Sequence, residues 1–267
     1  MQKKLVIIKL GGSIITDKSK STPTPRLENI NNLSSEISEL YKSGRYKFIL
    51  VHGAGSYGHP IAKKYSLHLG MKTEEQSMAF SEINQIMLDL NKIIMESLIK
   101  YHLPVVNFIP HTFISQSAGK LRGFDYQLIK AALFKNRIPV LYGDCVLDNK
   151  WGCSILSGDT IVSYLAKKLT AKKIIFMSDV DGIYDSDPKQ NPQAKLISQI
   201  NNNNLSEVLQ GLTLNNKFDV TGEMKGKILR IKQDLREIEI NIVNGLKTDS
   251  LEKVMLLNQI GTRLLFD

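Results

Sequence analysis

Cysteine is nearly absent from this chain: Cys145 and Cys153 are the only two in 267 residues. So few in a chain this long exclude a disulfide framework. No C-x-x-C, H-E-x-x-H or His/Cys cluster occurs, so no metal-ligand set is expected from the protein. Both cysteines are expected as free thiols in or near a hairpin. Long apolar runs are missing too, and stretches such as 3–10 or 174–177 are far too short to span a bilayer. Two lysines precede the first apolar run without a signal-peptide cleavage pattern, so a cytoplasmic protein with no membrane partner is expected. Aromatic residues make up 7%, too sparse for platforms that stack single-stranded bases. The net charge of +9 is spread along the chain, with no basic block longer than a pair such as Lys63 and Lys64. That distribution speaks against nucleic-acid binding and fits small anionic ligands.

What the chain does contain is an alternation of short apolar runs and amphipathic stretches. Residues 5–10, 48–51, 105–109, 140–142, 174–177, 238–243 and 263–266 read as buried strands. Between them, Ile30, Leu33, Ile37, Leu40 and Tyr41 fall on one helical face, with Gly44 as a stop. A longer stripe runs from Ile83 to Leu98, and S-G-D at 157–159 caps a further helix. The pattern predicts an α/β fold, an open three-layer αβα sandwich with a mostly parallel central sheet. Residues 115–124 and 145–156 break it and read as hairpins, and Asn201 to Asn204 as a polar loop. With no repeat or long linker, one two-lobed domain over 1–267 is expected.

Two glycine clusters fall at strand ends, where ligands of such folds sit. Residues 7–18 read I-I-K-L-G-G-S-I-I-T-D-K and residues 48–60 read F-I-L-V-H-G-A-G-S-Y-G-H-P. Glycine lets backbone N–H groups converge with no Cβ in the way, which makes a nest for anionic oxygens. Lys9, Lys18 and His59 can add positive charge. Two phosphate cradles imply two phosphorylated groups held together, and hence phosphoryl transfer. The second cluster satisfies G-x-G-x-x-G, but no second strand ends in an acidic residue about twenty positions on, as a dinucleotide site requires. The first is not a Walker loop, since G-x-x-x-x-G-K-[ST] is absent. Three more segments fit the chemistry: P-V-L-Y-G-D at 139–144, the carboxylate-rich strand end at 174–188, and D-V-T-G-E-M-K-G-K at 219–227. Of the other histidines, His52, His68, His102 and His111 are expected to be structural or superficial.

Taken in order, K-L-G-G-S with D-K, H-G-A-G-S-Y-G-H-P, L-S-G-D, S-D-V-D-G-I-Y and D-V-T-G-x-M-K resemble the amino acid kinase superfamily, and within it the isopentenyl phosphate kinase family. The resemblance implies a homodimer, with an acceptor lobe over about 1–170 and a nucleotide lobe over about 171–267. It implies that Lys9, Gly11, Gly12 and Ser13 hold the phosphates of ATP and that Lys18 stabilises the transferring group. Ala54, Gly55 and His59 would bind the acceptor phosphate, and Gly158 would touch the acceptor. Asp179, Tyr184, Thr221, Gly222 and Lys225 would line the nucleotide site, with Lys225 reaching the phosphates and Mg2+ as cofactor. Ala54 and Glu223 depart from the family's glycines; alanine is tolerable at 54 where φ is negative.

A phosphomonoester acceptor is ionised at neutral pH, so such a reaction needs no general base, and none is evident in these motifs. For isopentenyl phosphate, Met78, Phe80, Ile83, Ile86 and Met87 are candidates for the wall around an apolar tail, though such a stripe also suits core or dimer packing. Other kinases of the superfamily, such as those acting on fosfomycin, share the nucleotide motifs, and a non-catalytic nucleotide sensor is a further alternative.

Overall fold

Strands alternate sides, so a sheet residue's parity decides which helical layer it meets. The computed structural model, which describes residues 3–20, 22–186, 188, 191–215, 223–257 and 260–267, follows that rule throughout its main sheet. The chain runs β1 (Lys4–Leu10), α1 (Gly12–Ile15), α2 (Leu27–Lys42), β2 (Tyr46–His52), α3 (Gly55–Lys64), α4 (Glu74–Lys100), β3 (Val105–Asn107), β4 (Ile114–Ser117) and β5 (Lys120–Phe124). It continues through α5 (Gln127–Phe134), β6 (Ile138–Tyr142), β7 (Asp144–Asp148), β8 (Gly152–Leu156), α6 (Gly158–Lys168) and β9 (Lys173–Ser178). The last elements are β10 (Gln199–Ile200), α7 (Leu205–Asn215), α8 (Glu223–Asp234), β11 (Glu239–Asn244), α9 (Ser250–Leu256) and β12 (Thr262–Leu264).

Eight strands form one sheet in the order β10-β12-β11-β9-β1-β2-β6-β3. Pairing is parallel except between β11 and β12. Val6, Ile8, Phe48 and Leu50 pack with α2 and α4, while Ile7, Ile49 and Val51 pack with α5 and α6. The expected three layers are therefore present, and each strand placed by its apolar run is found within a residue or two. Gly44, with φ of 70°, follows the end of α2 as expected.

A second sheet, in the order β5-β4-β7-β8, was not foreseen as a unit. The two expected hairpins join through β4 and β7, and one buried side chain locks them. Asp148 Oδ1 accepts from the backbone N–H groups of Ala118, Lys150 and Trp151, and Oδ2 from Gly119 N–H and the Ser154 hydroxyl. Burial alone would raise this carboxyl, but the Gly119, Lys150 and Trp151 amides and the Ser154 hydroxyl outweigh it and hold it well below the usual range. Cys145 and Cys153 are buried free thiols on this β7–β8 hairpin, as expected. The stretch Asn201 to Asn204 is a turn closed by its own side chains, with Asn204 Oδ1 accepting from Asn201 N–H at 2.9 Å.

At the end of β2, His52 is buried and stacked on Tyr142 with ring centroids 5.0 Å apart. Its Nδ1–H donates to the Gly53 carbonyl at 3.0 Å. Burial, joined by the nearby Lys9 charge, pushes its pKa down to about 4 against the opposing pull of Gly53 and Asn91. The unfolded chain thus binds a proton between pH 6.5 and 4 that the folded chain refuses. Stability should fall by about 3 kcal/mol as pH drops through that window. Asp148 has the opposite shift, so its contribution is complete above about pH 4 and is lost below it. Urea unfolding against pH should show two separate losses, with His52→Gln removing the upper one. Asp148→Ala should cost about 3 kcal/mol or more at pH 7 by stranding buried N–H donors.

Candidate active site

Each central strand hands on to a glycine that continues the ladder by one bond before the chain turns. Gly11 N–H donates to Met177 O (2.9 Å), Gly53 N–H to Leu10 O (2.9 Å) and Gly143 N–H to His52 O (3.0 Å). Two of the loops that follow touch backbone to backbone. A Cβ on Gly12 would collide with the Gly55 amide, and one on Gly53 would lie 2.8 Å from Gly12 N. Gly55 also has a φ of 53°, the left-handed region that side chains avoid. The buried Thr16 hydroxyl clips the loops together, donating to Gly12 O at 2.7 Å and accepting from Ser56 N–H at 2.9 Å. The glycine clusters, forty residues apart in sequence, are one structure.

One cavity of about 330 Å³ opens at this junction. The first loop contributes Lys9, Gly11, Gly12, Ser13 and Lys18 to its wall. Gly53, Ala54, Gly58 and His59 come from the second. Gly143 and Gly158 close a third side, drawn together because the β7–β8 hairpin leaves β6 and returns to α6; a Cβ on Gly143 would lie 3.0 Å from Gly158 N. Ile83 and Met87 of α4 supply an apolar side. A neighbouring cavity of about 570 Å³ shares Lys18 and His59 and takes in Tyr57 and Ile86. Lys18 and His59 therefore stand between two chambers.

The charges are anchored. Strand parity turns Lys9 towards α6, where its Nζ lies 3.4 Å from Asp159 Oδ1 with the lysine side chain 19% exposed. Ser13 Oγ donates to Asp179 Oδ1 at 3.0 Å. Asp17 accepts from Ser19 N–H and Oγ and pairs with Arg26 at 3.3 Å, which fixes the turn bearing Lys18. The Ser19 hydroxyl and amide, with Arg26, hold the Asp17 carboxyl below its ordinary range. Ala54 has φ of −80°, so its methyl is accommodated without strain.

Most of the residues singled out in the sequence meet here. Lys9, Gly11, Gly12, Ser13, Lys18, Ala54, His59 and Gly158 line the cavity, Gly55 lines its neighbour, and Asp179 is reached through Ser13. Tyr184 does not line it; its hydroxyl donates to Asp181, which also holds Asn244 and Lys247. Lys225 stands in the first turn of α8, where Glu223 is the first residue, and is not part of the cavity wall. Thr221 and Gly222 lie outside the described residues. The apolar set divides: Ile83, Ile86 and Met87 reach the cavities, Phe80 packs against the core, and Met78 is 68% exposed because it sits on the outer face of the first turns of α4.

Two contacts were missed. Asp159 read only as part of a helix cap; its ion pair with Lys9 joins residues 150 positions apart in the chain. His111, expected to be structural or superficial, has a structural contact that was not foreseen: it donates from Nδ1 to Asp144 Oδ2 at 2.7 Å, and Asp144 lines the cavity. No local pattern joins residues so far apart in sequence.

Comparison with known proteins agrees with this geometry. Residues 4–244 match the amino acid kinase family. The chain is 37% identical to the isopentenyl phosphate kinase of Methanocaldococcus jannaschii, over 98% of its own length and 99% of the relative's. It is 34% identical to the enzyme of the same name from Methanothermobacter thermautotrophicus, over 97% and 98%. A solved X-ray structure of an isopentenyl phosphate kinase superposes with a TM-score of 0.82 at 30% identity, covering 97% of this chain and 99% of that one. A fold, a two-loop cavity and full-length likeness thus point the same way, and the chain belongs to the amino acid kinase family and, within it, to the isopentenyl phosphate kinases.

Proposed function

We propose that the protein transfers the terminal phosphoryl group of ATP in line onto isopentenyl phosphate, giving isopentenyl diphosphate. The observation that carries this reading is the contact of the two glycine loops around a single cavity that also holds Lys9, Lys18 and His59. The acceptor oxygen is already ionised, so the barrier is the approach of like charges. Each close pair opposes it by roughly 4 kcal/mol at about 4 Å and an effective dielectric of about 20. Fixed cations and backbone N–H groups offset that repulsion and meet the charge that spreads over the transferring group.

In this reading Gly11, Gly12 and Ser13 cradle the ATP phosphates, with Lys9 held in place by Asp159. Lys18, between the two chambers, stabilises the transferring group. Ala54, Gly55 and His59 hold the acceptor phosphate, and Gly158 borders the acceptor. Asp179, Tyr184, Thr221, Gly222 and Lys225 serve the nucleotide. The donor set also fits Mg2+, a hard cation that keeps several waters and takes phosphate and carboxylate oxygens, here from Asp159 or Asp179. Magnesium, when bound, neutralises part of the triphosphate charge. Ile83 and Met87 give a five-carbon tail an apolar face, whose burial contributes up to about 4 kcal/mol at ~0.8 kcal/mol per CH2. Among the described residues no helix is long and apolar enough to cross a membrane. Leu128 and Phe134, exposed on α5, suit a homodimer contact. Residues up to about 170 form the acceptor lobe in this reading, and 171–267 the nucleotide lobe.

A coupled ADP-release assay with isopentenyl phosphate, dimethylallyl phosphate, fosfomycin, glutamate and UMP tests the reaction. Isopentenyl phosphate should give the highest kcat/KM; preference for fosfomycin, or ATP binding with no turnover, would overturn the reading. His59→Ala should raise the acceptor KM about 10-fold or more and leave the ATP KM nearly unchanged, because the contact is to one substrate only. Equal loss on both substrates would remove the role given to His59. Lys18→Ala should lower kcat far more than it raises either KM, since its partner charge develops in the transition state. An unaltered kcat would exclude that role.

A further inference from the structure

The apolar face of α4 carries two buried asparagines seven residues apart, Asn84 and Asn91. Both sit within a stripe of Ile83, Met87, Leu90 and Ile94 that is otherwise apolar. Each reaches a different strand end at the rim of the reaction cavity. Asn84 Nδ2 donates to Asp144 Oδ1 at 2.9 Å and to the Cys145 carbonyl at 2.8 Å, both at the start of β7. Asp144, its side chain wholly buried, also accepts from Cys145 N–H and from His111 Nδ1. Two turns along, the Asn91 side-chain amide meets Nε2 of His52, the last residue of β2, at 3.3 Å; the neutral ring gives its Nδ1–H to Gly53, so Nε2 accepts from the amide.

Apolar packing alone is non-directional, so a helix held only by its stripe can slide or rotate at small cost. Directional bonds from buried polar groups remove that freedom, as a buried asparagine fixes the register of a coiled coil. The residues whose height is fixed here include Ile83 and Met87, which flank Asn84 and line the cavity.

We propose that Asn84 and Asn91, anchored on Asp144–His111 and on His52, are specificity-positioning residues that set how deep the cavity is beside Ile83 and Met87. They thereby fix the length of apolar chain an acceptor monophosphate can carry. The inference rests on the function proposed above.

The test compares wild type with Asn84→Leu, Asn91→Leu, His111→Phe and His111→Gln on prenyl monophosphates of five, ten and fifteen carbons. Asn84→Leu and Asn91→Leu keep size but remove the bonds. They should raise the five-carbon KM about 5- to 20-fold and shift the ten- to five-carbon kcat/KM ratio upward by about 10-fold, with the ATP KM within about twofold. His111→Phe should move the ratio in the same direction, and His111→Gln, which keeps a donor, should restore it at least in part. His111 is partly exposed, so its variants remain informative if a buried leucine prevents folding. An unmoved ratio in folded variants, or ATP and acceptor KM rising together, overturns the inference. Wild type without turnover on any of the three acceptors overturns the proposed function and this inference with it. Wild-type turnover with an unmoved ratio overturns this inference alone.

Discussion

Backbone contact between Gly12 and Gly55 is the constraint on which the rest of the site depends. Two loops that each present N–H groups can serve one reaction only if they stand at a fixed separation, and flexible side chains could not fix it. Glycine at both positions lets the main chains meet directly, and the Thr16 hydroxyl bonds to Gly12 O and Ser56 N–H, so the separation is set by covalent geometry and two short hydrogen bonds. In the proposed reaction the donors are in place before a ligand arrives, and no reorganisation is needed when charge moves between the loops.

The same rigidity decides where charge can be placed. A lysine near the end of a central strand, flanked by Ile8 and Leu10, cannot swing freely to solvent. Parity sends Lys9 to the α6 side of the sheet, where the helix begins one residue beyond the Ser157 cap and offers Asp159. A carboxylate beside the proposed phosphate cradle looks counterproductive, yet without it a largely buried ammonium would stand unpaired, which is costlier than one neighbouring negative charge. Ser13 and Asp179 repeat the arrangement on a smaller scale.

How much of this the sequence revealed follows from the range of the interactions involved. Strand runs and helix stripes are local signals, so the sheet, its layers and the end of α2 at Gly44 were readable. The two glycine clusters were readable for the same reason, each being a strand end followed by a turn. Met78 shows the limit of a stripe read without its partner, because the first turns of α4 project past the core. The union of the two hairpins into one sheet through Asp148, and the link from His111 to Asp144, depend on contacts between residues about thirty apart with no shared motif. Asp159 lies between these cases: its cap role was visible locally, its ion pair with Lys9 was not.

Helix α4 connects these levels. Its apolar stripe would be satisfied by any register that covers the sheet, and hydrophobic burial alone favours several of them nearly equally. Buried asparagines lower stability relative to leucine in a well-packed stripe unless their bonds are made, so their presence selects the one register in which both are satisfied. That register places Asn84 against the start of β7 and Asn91 against the end of β2, the two strand termini that carry Gly143 and Gly53. The apolar wall and the backbone of the glycine loops are thus referenced to the same points of the sheet. In the proposed reaction, a displacement of the helix would change the space for an acceptor's carbon chain without touching the loop contact at Gly12 and Gly55, which would separate substrate choice from phosphoryl transfer within a single cavity.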